Sequence, residues 1–152
     1  MLKRLAHVSY ERVASGMGLP NLYSFFKEVK RMNEPDRLRQ ALVRVTDPTP
    51  IIVQAALENE IEICVATLNL FVSILASEAG NLALTVLSTG GVYLSGGIPL
   101  RILPYLQREI FLQRFADKGR FTEFLHRVPI RVVTHPHYAL MGAACHSCSA
   151  GS

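Results

Sequence analysis

From Ile51 to Leu75, apolar side chains return at Ile51, Ala55, Ile61, Cys64, Val65, Leu68, Phe71, Val72 and Leu75, the three- and four-residue spacing of a helix face. The pattern predicts two stacked helices or one broken long helix, with Asp47 or Thr49 as the cap candidate before Pro50. Upstream, Leu22, Phe25, Phe26 and Val29 repeat at the same spacing and predict a helix with Pro20 in its first turn and its end near Met32. Leu2, Leu5 and Val8 suggest a weaker helical opening with no capping residue before it.

After Glu78 the pattern changes. No Asp, Glu, Lys or Arg occurs before Arg101, a run about as long as a membrane-spanning helix. Gly80, Asn81, Gly90, Gly91, Gly96 and Gly97 punctuate it, and each glycine weakens a helix. The end of a buried helix followed by a buried strand, Val92 to Ser95, is therefore expected. "PLRILPYLQREIFLQRFADKGRFTEFLHRV" is a helical region that Pro104 must start or kink and Gly119 must break. "IRVVTH" reads as a second strand, and Ala139 to Cys145 as a last helix after a proline turn. This alternation predicts an α/β domain with a largely buried sheet.

Composition narrows the picture. With 152 residues, 49% hydrophobic and 18% charged, the chain can form one domain or a large part of one. A net charge of +4 would favour an anionic partner, but basic residues sit in mixed clusters such as Lys27, Glu28, Lys30 and Arg31. Neither a nucleic acid nor a membrane is expected as partner. Three cysteines without disulfide-like spacing, and an opening "MLKRLAHVSY" without a signal peptide's apolar core, predict a cytoplasmic protein.

Candidate chemistry is sparse. A glycine pair between a strand and a helix, Gly96-Gly97, lets a flat nucleotide lie against main chain, although the same turn also serves as a simple tight turn. Glu11 precedes the glycine loop "ASGMG", where it is either a hydrogen-bond acceptor for a polyhydroxyl ligand or an exposed carboxylate near a helix N-terminus. Cys145-His146-Ser147-Cys148 has the spacing of a zinc half-site or a redox pair, but no second pair exists. His135-Pro136-His137 reads as a turn, and Ser15 lacks the Gly-x-Ser-x-Gly context of a nucleophile.

"HVSYERVASGMGLPNLY", "GNLAL", "GGVYLSGGI", "RFADKGRF" and "VPIRVVTHPHYALMGAA", in this order and spacing, resemble the C-terminal part of bacterial ATP-dependent glucokinases over nearly the whole chain. The regulator-like branch of sugar kinases has a zinc-binding cysteine cluster with no counterpart here. The resemblance implies an actin-like, ribonuclease-H-like sugar kinase in which two α/β domains close on glucose, with Mg²⁺ and ATP in the cleft. It implies that Glu11 contacts sugar hydroxyls and that Gly96 and Gly97 belong to the adenosine-binding segment. Gly90-Gly91 would ease close packing where the strand begins.

There are departures. Met17 stands where the family has proline, Pro99 comes one place early in the Gly-Gly-Ile turn, and Ala139 replaces a glycine. The family's Asp-x-Gly-Gly-Thr phosphate loop, its catalytic Asn-Asp pair and its Glu-Gly-Gly-His sugar motif have no match. Residues 1–152 are accordingly expected to be part of a C-terminal, large domain with no catalytic residue or metal ligand of its own, from a truncated or split gene or a shortened chain. The expected activity is phosphoryl transfer from ATP to the glucose 6-hydroxyl, absent from this chain alone. A homodimer or a missing N-terminal half is the expected protein partner, and the alternative is a non-catalytic ligand-binding or oligomerisation module.

Overall fold

The computed structural model describes residues 9–149. The expected opening helix over Leu2, Leu5 and Val8, and His7 and Val8 of the first motif, lie outside them.

The fold is organised around one helix, α5 (Glu62–Thr85). Its buried residues, Ile63, Cys64, Thr67, Leu68, Phe71, Val72, Ala76, Ala79, Gly80 and Ala83, advance by three or four along its length. It is long and apolar enough to cross a membrane, yet half of its most apolar window is buried inside the protein. Helices α2 (Gly18–Glu28), α4 (Thr49–Leu57) and α8 (Glu109–Ala116) pack on it. The one polar side chain buried on α5, Thr67, donates to the Ile63 carbonyl at 2.7 Å, so burying it leaves no hydroxyl unpaired.

The expected break in the long helical run falls between α4 and α5. Asn59 takes φ 53°, a left-handed conformation that asparagine tolerates better than most residues, and the Glu60 N–H returns to the Ala55 carbonyl at 3.2 Å. The N-cap of α4 is Pro48, which has no side-chain bond to give, and Asp47 acts from one place earlier: its Oδ1 accepts the Thr49 N–H at 3.0 Å. Helix α2 ends at Glu28, earlier than expected, because Arg31 turns left-handed at φ 54° and the Lys30 N–H closes back on Phe25. Helix α3 (Asp36–Val43) has no counterpart in the hydrophobic pattern. It buries only Leu38, and Arg37 on its polar surface pairs with Glu60 at 2.8 Å.

Strands β1 (Val92–Leu94) and β2 (Ile130–Val132) are parallel, with Val92 opposite Ile130, Tyr93 opposite Arg131 and Leu94 opposite Val132. Here the expectation of a largely buried sheet needs correction. Only Leu94 is buried, while Tyr93 is 61% exposed with the Arg131 guanidinium 5.6 Å from its ring centroid. The described chain is mostly helical with a small parallel sheet, because the crossover between the two strands is occupied by helices α6 (Gly97–Arg101), α7 (Leu103–Leu106), α8 and α9 (Thr122–His126).

Pro104 sits in the first turn of α7, where its missing N–H costs nothing, and Gly119 at φ 55° opens the 3₁₀ turn before α9. The buried Tyr105 hydroxyl donates to the Ala56 carbonyl at 2.9 Å, tying α7 to α4. The last helix, α10 (Tyr138–Ser149), is longer than expected, and its residues 138–148 are exposed.

Candidate functional site

The loop that carries the first candidate residue is fixed by a glycine. Helix α1 (Glu11–Ala14) turns directly into α2, and a Cβ on Gly18 would lie 2.6 Å from the Val13 carbonyl carbon. Only a residue without a side chain allows this approach. Ser15 Oγ donates to the Glu11 carbonyl at 2.6 Å and Asn21 Nδ2 to the Arg12 carbonyl at 3.0 Å. Glu11 is left on an exposed face, and its carboxylate pairs with no charged group among the described residues. Met17 has φ −71°, an angle proline also adopts, so the backbone at this position suits either residue.

The other end of the loop is anchored across the chain. The Thr49 hydroxyl, almost buried, donates to the Gly16 carbonyl at 3.1 Å. Hydrogen bonding from Thr49 holds the Asp47 carboxyl below its ordinary pKa, and the charge of Arg101 on α6 adds to the effect. A methyl on Gly16 would touch Ile98 Cδ1 at 3.4 Å. Ile98 is the second residue of α6, so the loop following Glu11 and the helix following Gly96 meet at one junction.

At that junction the second glycine pair is conformationally uneven. Gly96 has φ 108° and ψ 178°, a combination open essentially to glycine alone, whereas Gly97 starts α6 without a positive φ. Among the described residues no heavy atom lies within 4 Å of a Cβ built on either, so both backbones face open space there. The first pair acts differently. Gly91 has φ 122°, and a Cβ there would lie 2.8 Å from the Pro129 carbonyl oxygen, so β1 begins in close contact with the chain leading into β2. Pro99 falls in the first turn of α6, where no N–H is required, and Ala139 lies within α10 without needing a positive φ.

Two other motifs turn out to be one joint. A Cβ on Gly80 would lie 2.3 Å from the Phe115 carbonyl oxygen, and Lys118 Nζ donates to Ser77 Oγ at 2.8 Å. "GNLAL" and "RFADKGRF" therefore lock α5 against the end of α8. Spacing along the sequence carries no signal for such a contact.

Two depressions of the surface lie elsewhere. One of about 560 Å³ lies between α3 and α4, lined by Leu38, Ile51, Ala55 and Ile61 with Arg37 and Glu58, and one of about 400 Å³ lies between α8 and α9, beside Arg114, Asp117 and His126. Neither includes Glu11, Gly96 or Gly97. Among the described residues no three His, Cys, Asp or Glu side chains group so as to hold a metal ion. His135 and His137 form the expected local turn, with the His137 N–H donated to His135 Nδ1 at 3.2 Å.

The fold matches that of a solved sugar kinase. The crystal structure of a glucokinase from an Antarctic psychrotroph superposes with a TM-score of 0.77 at 34% identity, over 99% of this chain and 43% of that one. The family model for glucokinase matches residues 1–150, and the chain belongs to the glucokinase family. The glucokinase of Nostoc punctiforme is 38% identical over 151 residues, 92% of this chain and 44% of that protein. That of Salmonella heidelberg is 38% identical over 143 residues, 93% of this chain and 41% of that protein. The chain thus spans less than half the length of these relatives, and a C-terminal portion fits the coverage.

Proposed function

We propose that the chain is the C-terminal portion of an actin-like sugar kinase, contributing to transfer of a phosphoryl group from ATP to the 6-hydroxyl of glucose as the first step of glycolysis. The observation that carries this reading is the junction at Gly16 and Ile98, which joins the loop next to Glu11 to the helix opened by Gly96-Gly97. A sugar-side carboxylate and a nucleotide-side turn then share one rigid support, as two-substrate chemistry requires. Glu11 accepts hydrogen bonds from sugar hydroxyls. The open backbone at Gly96 and Gly97 admits the adenosine, since no side chain fills the space a Cβ would take.

Among the described residues no three ligating side chains group together, and on this reading the Mg²⁺ that accompanies ATP would be held by the phosphates and by a carboxylate outside this sequence. Stabilising the charge of the transferring phosphoryl group and accepting the sugar proton fall to residues outside this sequence, because phosphoryl transfer needs a phosphate cradle and a positioned carboxylate. The chain alone is therefore inactive, and its protein partner is a portion bearing those parts.

The test is complementation. The purified chain is mixed or co-expressed with the amino-terminal portion of a related glucokinase carrying Asp-x-Gly-Gly-Thr and Asn-Asp, and glucose 6-phosphate is followed in a host-kinase-free assay. Product from the pair and from neither part alone supports the proposal. Product from the chain alone overturns the division of labour. Failure of a soluble, associated pair to turn over favours a non-catalytic binding or oligomerisation module.

A further inference from the structure

The proposed function leaves α10 unused. Its sequence from Tyr138 to Ser149 contains no carboxylate, and Cys145 and Cys148 are both exposed thiols one helical turn apart. Residues three apart lie on neighbouring positions of one helix face. The third cysteine, Cys64, is completely buried on α5, and burial, with the nearby Glu34 charge adding, pushes its thiol up to about 11.

Spacing decides what two such thiols can do. On a helix the Cβ atoms of residues three apart are about 5–6 Å from each other. A disulfide needs them at about 3.5–4.5 Å, so a direct S–S bond would have to distort the helix around Cys145. A single thiophilic atom between the sulfurs adds a second bond of about 2.3 Å, as in a zinc thiolate, and spans the wider gap. Zinc itself needs four ligands in a structural centre, and no third His, Cys, Asp or Glu joins the pair among the described residues. A centre satisfied by two sulfurs fits better.

We propose that Cys145 and Cys148 form a vicinal dithiol site for trivalent arsenicals of the type R–As=O. The two thiols condense with the oxide: two As–S bonds form, the As–O double bond is lost, and both thiol protons leave with the oxygen as water. Arsenic stays trivalent, so no oxidant or reductant is required. The site clamps α10 on side chains that are exposed among the described residues.

The test uses the whole chain and phenylarsine oxide. Without the arsenical, a thiol reagent should titrate two thiols in the native protein and the third only in denaturant. One equivalent of phenylarsine oxide should block both exposed thiols together, add the mass of one phenylarsine oxide less one water to the intact protein, and be released by a dithiol such as 2,3-dimercaptopropanol but not by excess 2-mercaptoethanol. C145S and C148S should each weaken binding at least tenfold, and C64S should leave it unchanged. Blocking of one thiol per equivalent, release by the monothiol, or tight binding that survives either exposed substitution would overturn the proposal. So would closure of an intramolecular disulfide by oxidised glutathione with no loss of helicity, because the spacing argument would then be wrong. None of these readouts depends on kinase activity.

Discussion

The Thr49 hydroxyl donates to the Gly16 carbonyl at 3.1 Å, across 33 positions of sequence. The bond joins the first turn of α4 to the loop that follows Glu11, and that loop rests on Ile98 of α6. Thr49 is 7% exposed, so its hydroxyl has little water to turn to. Thr49→Val should keep the shape, strand the carbonyl and cost about 1–3 kcal/mol, while Thr49→Ser should recover most of the loss. Urea unfolding midpoints at neutral pH measure this. Equal stability of all three proteins would show that the bond does not hold the loop.

Gly80 should tolerate no side chain. The added methyl of Gly80→Ala would meet the Phe115 carbonyl oxygen at 2.3 Å, a backbone atom that moves only with α8 itself. Overpacking against a backbone atom this close belongs at the upper end of about 1–3 kcal/mol, above the roughly 1 kcal/mol that alanine would normally gain over glycine in a helix, so thermal midpoints should fall. A raised midpoint would mean that α5 and α8 are not in this contact.

The cluster of Tyr23, Glu34 and Lys27 should shape the pH dependence of stability. The Tyr23 hydroxyl donates to Glu34 Oε1 at 2.8 Å and Lys27 Nζ lies 2.6 Å from Oε2. Burial pushes the Glu34 carboxyl up, but hydrogen bonds from Lys27 and Tyr23, with the Lys27 and Arg39 charges, outweigh it and leave the pKa below its ordinary value. Its contribution is therefore present above the unfolded carboxylate pKa and lost as pH falls through the lower folded value. Burial first, and then the bond to Glu34, raise the Tyr23 pKa strongly, so its contribution is present below the unfolded value of about 10 and lost as pH rises above it. Tyr23→Phe should cost about 1.5–3 kcal/mol near neutrality and flatten the alkaline limb. Glu34→Gln should flatten the acid limb. Denaturant midpoints from acid to alkaline pH would reveal an unchanged profile if the cluster were inert.

In an active complemented kinase, Glu11 and the Gly96-Gly97 turn should separate by substrate. Glu11→Gln weakens charge-assisted bonds worth about 1.5–3 kcal/mol, so the glucose KM should rise tenfold or more with little change for ATP. Gly97→Val should act mainly on ATP, because a branched side chain would occupy the open space beside the backbone. Gly96→Val should in addition cost about 1–3 kcal/mol of stability through its φ of 108°. Equal losses for both substrates in either Glu11→Gln or Gly97→Val would remove the assignment.

The chain's own residues determined much. Apolar spacing located α2, α4, α5 and the two strands, because helix and strand periods are properties of the local backbone. Proline and glycine marked the starts and breaks, and the ordered motifs identified the family. Helix α3 escaped because its one deeply buried side chain, Leu38, makes no period. Exposure of the sheet escaped because a short apolar strand looks the same with one face covered or two. Tertiary structure alone decided which glycine did which task. Gly80 meets Phe115 and Gly16 meets Ile98 across 35 and 82 positions, and such contacts depend on how helices pack rather than on spacing within any one of them.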